Sequence, residues 1–229
     1  MITAASNSRI KRLVQLNQKS KLRRTEDVFL AEGVKMFLEA PREQLQEVYV
    51  SESFLEKCSC REHLEEVGYE VVSDSVFSKI SDTCTPQGVL CVLKQFHYNI
   101  EEMLRDKAPL FLLLENIQDP GNLGTMLRTG EGAGVSGIIM SRDTVDLYNP
   151  KVIRSTMGSI YRVPFYYAED FAAAVHQVQQ AGVSVYAAHL RGKNSYACQD
   201  YTKGTAFLIG NEGNGLREET AELADCYIR

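Results

Sequence analysis

The sequence lacks any long uninterrupted apolar segment. A membrane-spanning helix needs about 18 or more consecutive apolar residues, and no stretch of the 229-residue chain approaches that length. The first twenty residues mix polar and basic side chains and contain no apolar core of the secretory type. These absences predict a cytoplasmic protein without a membrane partner.

Paired metal-binding cysteines are also absent. The six cysteines show no repeated Cys-x-x-Cys spacing of a zinc site, and the chain is long enough to fold without disulfides. Cys58 and Cys60 are separated by one residue and could form a metal or redox pair, but we interpret all six as reduced cytosolic thiols. We therefore expect no bound metal.

An overall positive charge is missing as well. The 25 Lys and Arg residues are outnumbered by 30 Asp and Glu residues, which gives a net charge of −5. Residues 1–24 nevertheless contain no acidic residue and seven basic ones: Arg9, Lys11, Arg12, Lys19, Lys21, Arg23 and Arg24. Such a segment is either a solvated basic helix or an arm that contacts phosphates.

Short strands and helices alternate through the first 95 residues, which predicts a small α/β domain. Ser6 is expected to cap a helix with an apolar stripe at Ile10, Leu13 and Val14. Predicted strands lie at Phe29–Ala31, Val48–Val50, Tyr69–Val72 and Gly88–Leu93. Predicted helices lie at Val34–Ala40, Phe54–Val67, where the helix could be broken, and Ser75–Ile80. Residues 96–109 are polar and are interpreted as a linker.

From residue 110 to residue 229 the predicted strands are more apolar, which indicates a second domain built on a buried parallel sheet with helices on both faces. The strands are predicted at Leu110–Leu114, Gly137–Met140, Val163–Tyr166, Val183–Ala188 and Ala206–Ile209. The helices are predicted near Leu123–Glu131, Pro150–Met157, Asp170–Ala181 and Arg217–Leu223.

The segment Gly132–Gly137 satisfies the GxGxxG pattern of dinucleotide-binding proteins. That fingerprint must follow a strand and open a helix. Here it follows a predicted helix and precedes a strand, so we interpret it as a helix-to-strand connection. A nicotinamide-dependent oxidoreductase remains an alternative, and it requires a helix beginning near Gly137.

The stretch from Leu110 to Gly134 joins a buried strand to a turn rich in Gly, Pro and Asn and then to a helix that carries Arg128. In open α/β folds, ligands bind where the carboxyl end of a strand faces such a helix start. The segment Asn116–Asn122, with Arg128 six residues on, resembles the first motif of the SpoU (TrmH-type) RNA ribose 2′-O-methyltransferases of the SPOUT superfamily.

Two later blocks resemble the second and third motifs of the same family in the expected order. They are Ser141–Asp143 with Asn149–Ser159, and Leu208–Leu216. The N-terminal region, with Ile2-Thr3, Asn7, Ile10-Lys11 and Phe29–Gly33, resembles the family's substrate-binding extension, which is similar to ribosomal protein L30e and recognises structured RNA.

The resemblance implies a SPOUT-type parallel sheet with a C-terminal trefoil knot, preceded by the L30e-like domain. In the family the third motif continues past the position of Arg229 into a strand, a turn and a last helix that complete the cofactor pocket. We therefore expect the natural chain to continue beyond Arg229. The implied assembly is a homodimer.

The implied activity is transfer of a methyl group from S-adenosyl-L-methionine to a ribose 2′-hydroxyl in structured RNA, with ribosomal RNA favoured over transfer RNA. By resemblance, Arg128 activates that hydroxyl, Asn122 holds the turn or the ribose, and Glu212 steadies the site. A guanidinium is a poor general base because its pKa exceeds about 12. We therefore expect Arg128 to clamp the adjacent phosphate and stabilise the developing alkoxide, and the proton acceptor stays open.

The resemblance also implies that Gly210, Asn211, Glu212 and Gly213 line the cofactor pocket, and that Leu190 belongs to a second cofactor-contacting loop. Candidate RNA-binding residues are Arg9, Lys11, Arg12, Arg23, Arg24 and Arg154.

Simpler interpretations stay open at this stage. Arg128 could be an ordinary exposed helix arginine, Asn122 a helix N-cap, and the Gly/Asn loop a turn. Arg154 could face RNA, the dimer partner or only solvent. For the whole chain, the competing interpretation is a non-catalytic RNA-binding protein on the same scaffold.

Overall fold

The computed structural model describes residues 1–229 and divides into two compact units. The first comprises Met1–Phe96 and Asp146–Tyr161, and the second comprises His97–Val145 and Arg162–Arg229. The sequence-based division into 1–95, 96–109 and 110–229 did not anticipate that the chain returns to the first unit for residues 146–161.

The first unit is built on a four-stranded sheet in the order β1-β4-β2-β3. Strand β4 is antiparallel to β1 and β2, whereas β3 is parallel to β2. The strands are β1 (Val28–Glu32), β2 (Leu45–Ser51), β3 (Glu70–Val72) and β4 (Val89–Lys94). The helices are α1 (Ser8–Gln18), α2 (Ser20–Glu26), α3 (Val34–Leu38), α4 (Glu52–Lys57), α5 (Arg61–Val67) and α6 (Asp74–Ile80), and a later segment adds α9 (Pro150–Thr156).

The apolar stripe of α1 packs into the core of this unit, as its spacing predicted. Ile10 and Leu13 are buried against a cluster that includes Phe77 of α6. The cap of α1 is Asn7, not Ser6, because the Asn7 side chain lies close enough to accept a hydrogen bond from the Arg9 amide at 2.9 Å.

The second unit contains a six-stranded sheet in the order β10-β8-β9-β5-β6-β7, and every neighbouring pair is parallel. The predicted parallel sheet is thereby confirmed. Its strands are β5 (Leu110–Leu114), β6 (Gly137–Ser141), β7 (Phe165–Ala168), β8 (Ser184–Ala188), β9 (Thr205–Ile209) and β10 (Cys226–Ile228). Its helices are α7 (Ile100–Met103), α8 (Pro120–Ala133), α10 (Phe171–Gln180) and α11 (Glu218–Ala221).

Adjacent residues of β6 show that helices cover both faces of this sheet. Ile139 lies in the same buried cluster as Val175 of α10, whereas Ile138, which points the other way, approaches Gly130 of α8. The expected linker also packs: Ile100 and Met103 are buried in the cluster that contains Ile139.

The GxGxxG segment joins a helix to a strand. Helix α8 ends at Ala133, Gly134 adopts a left-handed conformation with φ of 72°, and β6 begins at Gly137. The prediction of a helix-to-strand connection is confirmed, and the helix required by the oxidoreductase alternative is absent. None of the helices has the length and apolarity needed to cross a membrane.

Candidate active site

Strand β5 occupies the position in the sheet where the strand order reverses. The chain moves from β5 to β6 and β7 on one side and then returns to β8 and β9 on the other side. Ligands of open parallel sheets bind beyond the carboxyl ends of the strands at such a reversal. The loops that follow β5 and β9 therefore define the candidate site.

The turn after β5 is shaped by Asn116 and Asp119. Asn116 adopts a left-handed conformation with φ of 54°, a conformation that Asn tolerates better than most residues. Asp119 caps α8 by accepting a hydrogen bond from the Asn122 amide at 2.8 Å, and Pro120 is the first helical residue. Asn122 is thus inside the first turn of α8, and the interpretation of Asn122 as the N-cap is wrong.

Glu212 joins the loop after β9 to this turn. Its carboxylate accepts hydrogen bonds from the backbone amides of Gln118 at 3.1 Å and Asp119 at 3.0 Å. It also accepts one from Nδ2 of Asn122 at 3.2 Å. The structure therefore brings together Asn122 and Glu212, two of the three residues that the resemblance assigns to catalysis.

The surroundings of Glu212 favour its ionised form. Partial burial raises the pKa of Glu212, but the hydrogen bonds from the backbone amides and from the Asn122 side chain outweigh that effect, so its pKa lies below the ordinary value. A carboxylate held in this way is a weak proton acceptor and a strong orienting group.

The β9 loop, defined here as residues 210–217, folds back on itself. The backbone groups of Asn211 and Gly215 exchange hydrogen bonds of 3.0 and 2.9 Å, so that Gly210 lies directly against Gly215. A side chain at Gly210 would overlap the Gly215 backbone, which explains why glycine is needed there. The Asn211 amide donates a hydrogen bond of 2.8 Å to the Asn116 carbonyl and fixes the loop beside the turn after β5.

Arg128 lies on α8 beyond Asn122, about 9 Å further along the helix axis by its rise per residue. Its side chain is exposed, and its guanidinium forms no ion pair or hydrogen bond within the chain. Leu190 follows β8, the neighbour of β9, and is 87% exposed, which is unusual for a leucine.

Sequence reasoning missed a second carboxylate at this edge of the sheet, Glu115. It directly follows β5, is only 1% exposed and bonds to Arg217 at the end of the β9 loop. Arg217 also pairs with Asp143, whose carboxylate receives a hydrogen bond from Ser141. A charged residue directly after five apolar strand residues is the signal that could have revealed it.

Asp143 is ionised in this network. Burial raises the pKa of Asp143, but hydrogen bonds from Ser141 and Arg217 lower it by more, so its pKa lies below the ordinary value. No group of three or more His, Cys, Asp or Glu side chains in the chain is arranged to hold a metal ion.

The predicted RNA-binding arginines fall into different environments. Arg23 is only 3% exposed, and its guanidinium bonds to the Leu16 carbonyl at 2.7 Å and to Asp146 at 2.5 Å. This geometry corrects the expectation for Arg23, because a buried and paired arginine holds the first unit together and offers no surface to a phosphate. Lys11 and Arg24 are exposed and carry no ion pair.

The other three arginines are accessible but paired. Arg9 pairs with Glu70 at 3.1 Å, and Arg154 pairs with Asp82 at 3.3 Å. Arg12 is shared between two glutamates, Glu26 and Glu47, each at 2.7 Å. A phosphate would have to displace these carboxylates.

Comparison with known proteins shows which family the chain resembles. Residues 109–229 match the SpoU rRNA Methylase family, and residues 7–91 match the MRM3-like substrate binding domain. The chain is 31% identical to the 23S rRNA (guanosine(2553)-2′-O)-methyltransferase RlmP of Bacillus subtilis, over 99% of this chain and 88% of that protein. A crystal structure of an rRNA methyltransferase from Sinorhizobium meliloti superimposes with a TM-score of 0.83 at 30% identity, covering 100% of this chain and 88% of that one.

A crystal structure of an S-adenosylmethionine-bound rRNA methyltransferase from S. meliloti also matches, with a TM-score of 0.83 at 29% identity over 100% of this chain and 87% of that one. The family match covers more than half of the chain and the relatives span nearly all of it, so the chain belongs to the SpoU rRNA methylase family.

Proposed function

We propose that this protein transfers a methyl group from S-adenosyl-L-methionine to a ribose 2′-hydroxyl in structured RNA, with ribosomal RNA as the substrate class. The observation that carries the proposal is the contact of Glu212 with Asn122 on the helix that also carries the unpaired Arg128. The names of the relatives support the reaction and the class of RNA.

The residues around the β9 loop suit this cofactor. S-adenosylmethionine has a planar aromatic adenine ring and a charged amino-acid part, so its site needs apolar and polar surfaces side by side. Leu190 supplies an exposed apolar surface, and the Asn211 and Glu212 side chains supply polar groups. Gly213 leaves the backbone of the loop uncovered, because a Cβ there would approach only Oδ1 of Asn211 at 3.6 Å.

The bound cofactor supplies an electrophilic methyl group, and the remaining tasks fall to the protein. Arg128, with all its guanidinium donors available, binds the phosphate next to the target ribose and stabilises the alkoxide that develops as the hydroxyl reacts. Asn122 and Glu212 hold the turn that sets the position of α8. The lowered pKa of Glu212 makes it an orienting group and not the proton acceptor.

RNA binding is assigned to the first unit and to the accessible basic residues Arg9, Lys11, Arg12, Arg24 and Arg154. The match of residues 7–91 to a substrate binding domain supports this assignment. The homodimer, the cytoplasmic location, the knotted C-terminus and the domain limits 1–95 and 110–229 stay predictions. Sedimentation of the purified protein tests the dimer.

The test is transfer of labelled methyl from S-adenosylmethionine to unmodified total RNA by the natural full-length protein. We expect label in the ribosomal RNA fraction, at linkages that resist alkaline hydrolysis because a methylated 2′-oxygen cannot attack the neighbouring phosphate. Label in the transfer RNA fraction would change the substrate class. RNA binding without any transfer would support the non-catalytic RNA-binding alternative.

A further inference from the structure

The buried carboxylate of Glu115 holds the far end of the β9 loop. One of its oxygens accepts a hydrogen bond from the Arg217 backbone amide at 2.8 Å. The other accepts from Nη1 of Arg217 at 3.3 Å and from the Thr220 hydroxyl at 2.5 Å. Three donors therefore converge on one carboxylate that is only 1% exposed.

Burying a carboxylate costs free energy of folding. An apolar residue of similar volume would often serve stability as well or better, since burial removes the charge from water. What an apolar residue cannot do is fix the direction of three donors at once. The arrangement thus specifies where Arg217 and the start of α11 lie relative to the end of β5.

Arg217 extends this contact to the neighbouring strand. Its second terminal nitrogen pairs with Asp143, which follows β6. The Asp143 carbonyl in turn accepts a hydrogen bond of 2.6 Å from the side chain of Gln118, and the Gln118 amide bonds to Glu212. These hydrogen bonds therefore connect Arg217, at the end of the β9 loop, through the turn after β5 to Glu212 in the middle of the same loop.

The β9 loop accordingly has two carboxylate anchors. Glu212 fixes its middle from within the loop, and Glu115 fixes its end from β5. Between them lie Gly213 and Gly215, which have no side chains to restrain the backbone. Because Gly215 is hydrogen-bonded to Asn211, a shift of the loop end after loss of the Glu115 anchor also moves Asn211.

We propose that Glu115 and Arg217 are positioning residues for the cofactor: by fixing the end of the β9 loop, they hold Gly210–Gly213 in the conformation that binds S-adenosylmethionine. The inference rests on the proposed function. Glu115 itself does not touch the reacting atoms, because its oxygens are buried and already occupied by Arg217 and Thr220.

The test compares Glu115→Gln with Glu169→Gln. Glutamine removes the charge of Glu115 and turns one acceptor oxygen into a donor that faces the donors of Arg217. Glu169 is the matched control, because it pairs with Arg142 at 2.6 Å at the same edge of the sheet but is 77% exposed and forms no hydrogen bond or ion pair with the β9 loop.

We expect Glu115→Gln to weaken S-adenosylmethionine binding about tenfold in a calorimetric titration, as expected for a lost charge-assisted hydrogen bond. The KM for the cofactor should rise by a similar factor, whereas RNA affinity should stay unchanged. The cofactor affinity of Glu169→Gln should match that of the unaltered protein. Glu115→Asp keeps the charge and should recover part of the affinity. Thr220→Val removes one donor with little change in volume and gives a second measurement if Glu115→Gln does not fold.

A role limited to stability predicts a different result. Cofactor affinity per folded molecule would then be unchanged in both Glu115→Gln and Thr220→Val, while the melting temperature falls, and this outcome overturns the positioning role alone. Absence of any binding heat with the unaltered protein would overturn the proposed function and, with it, this inference.

Discussion

The hydrogen bonds of Glu212 lead to a quantitative prediction for Glu212→Gln. The carboxylate accepts from two backbone amides, at 3.0 and 3.1 Å, whereas a glutamine offers one acceptor oxygen and must direct its amide group at the other donor. A hydrogen bond to a charged group contributes about 1.5 to 3 kcal/mol. Because Glu212 is exposed and solvent screens its charge, we take the lower end for the lost bond and about 0.5 kcal/mol for the weakened one.

The expected loss is about 2 kcal/mol in the conformational equilibrium of the β9 loop, which corresponds to about 30-fold in cofactor affinity. The assay is calorimetric titration of S-adenosylmethionine into Glu212→Gln and into Glu222→Gln. Glu222 is an exposed glutamate just beyond α11 whose carboxylate forms no hydrogen bond, so its replacement controls for the change in net charge.

Affinity within about twofold of the unaltered protein, together with an unchanged melting temperature, would refute the reasoning. It would mean that the amides of Gln118 and Asp119 find other acceptors at no cost, and that the contact with Glu212 is incidental.

Four further outcomes follow from the same geometry. Arg128→Ala should abolish methyl transfer yet leave cofactor affinity nearly intact, since Arg128 bonds to no part of the β9 loop; equal loss of both would make it structural. Replacing Lys11 and Arg24 by Gln should weaken RNA binding and flatten its dependence on salt in a filter-binding series, because fewer counterions are released. Gly210→Ala should lower the melting temperature and cofactor affinity together, since its methyl group would overlap the Gly215 backbone. Because the pKa of Glu212 is lower in the folded protein than in the unfolded chain, its stabilisation is present above the unfolded value of about 4.3 and is lost as pH falls through the folded value, so Glu212→Gln should show a shallower acid-induced fall in melting temperature.

Local pattern predicted β5, β6, β8 and β9 to within one residue at each end, whereas α7 lies in the expected linker. Five apolar residues before a Gly/Pro/Asn turn predicted β5 and its turn, and β5 is observed at Leu110–Leu114. The order of helix, glycine and strand around Gly134 identified a connection where the bare GxGxxG pattern suggested a nucleotide site. In both cases the signal lies within a few residues, so tertiary context adds little.

The errors arose where burial depends on distant parts of the chain. Arg23 belongs to a basic run, but a partner 123 residues away, Asp146, completes its environment. Asp119 and Asn122 are both good capping residues. The structure shows that Asp119 caps α8, whereas the Asn122 side chain bonds to Glu212. Glu115 was overlooked because its donors, Arg217 and Thr220, are more than a hundred residues further on.

Sequence separation also has a consequence for synthesis of the protein. The hydrogen bonds of Glu212 to Gln118, Asp119 and Asn122 span 94, 93 and 90 residues. At elongation rates of about 5 to 20 residues per second, the turn after β5 is synthesised roughly 5 to 20 seconds before Glu212. During that interval the amides of Gln118 and Asp119 lack the carboxylate that accepts their hydrogen bonds in the folded chain, so the candidate site is incomplete until Glu212 is made.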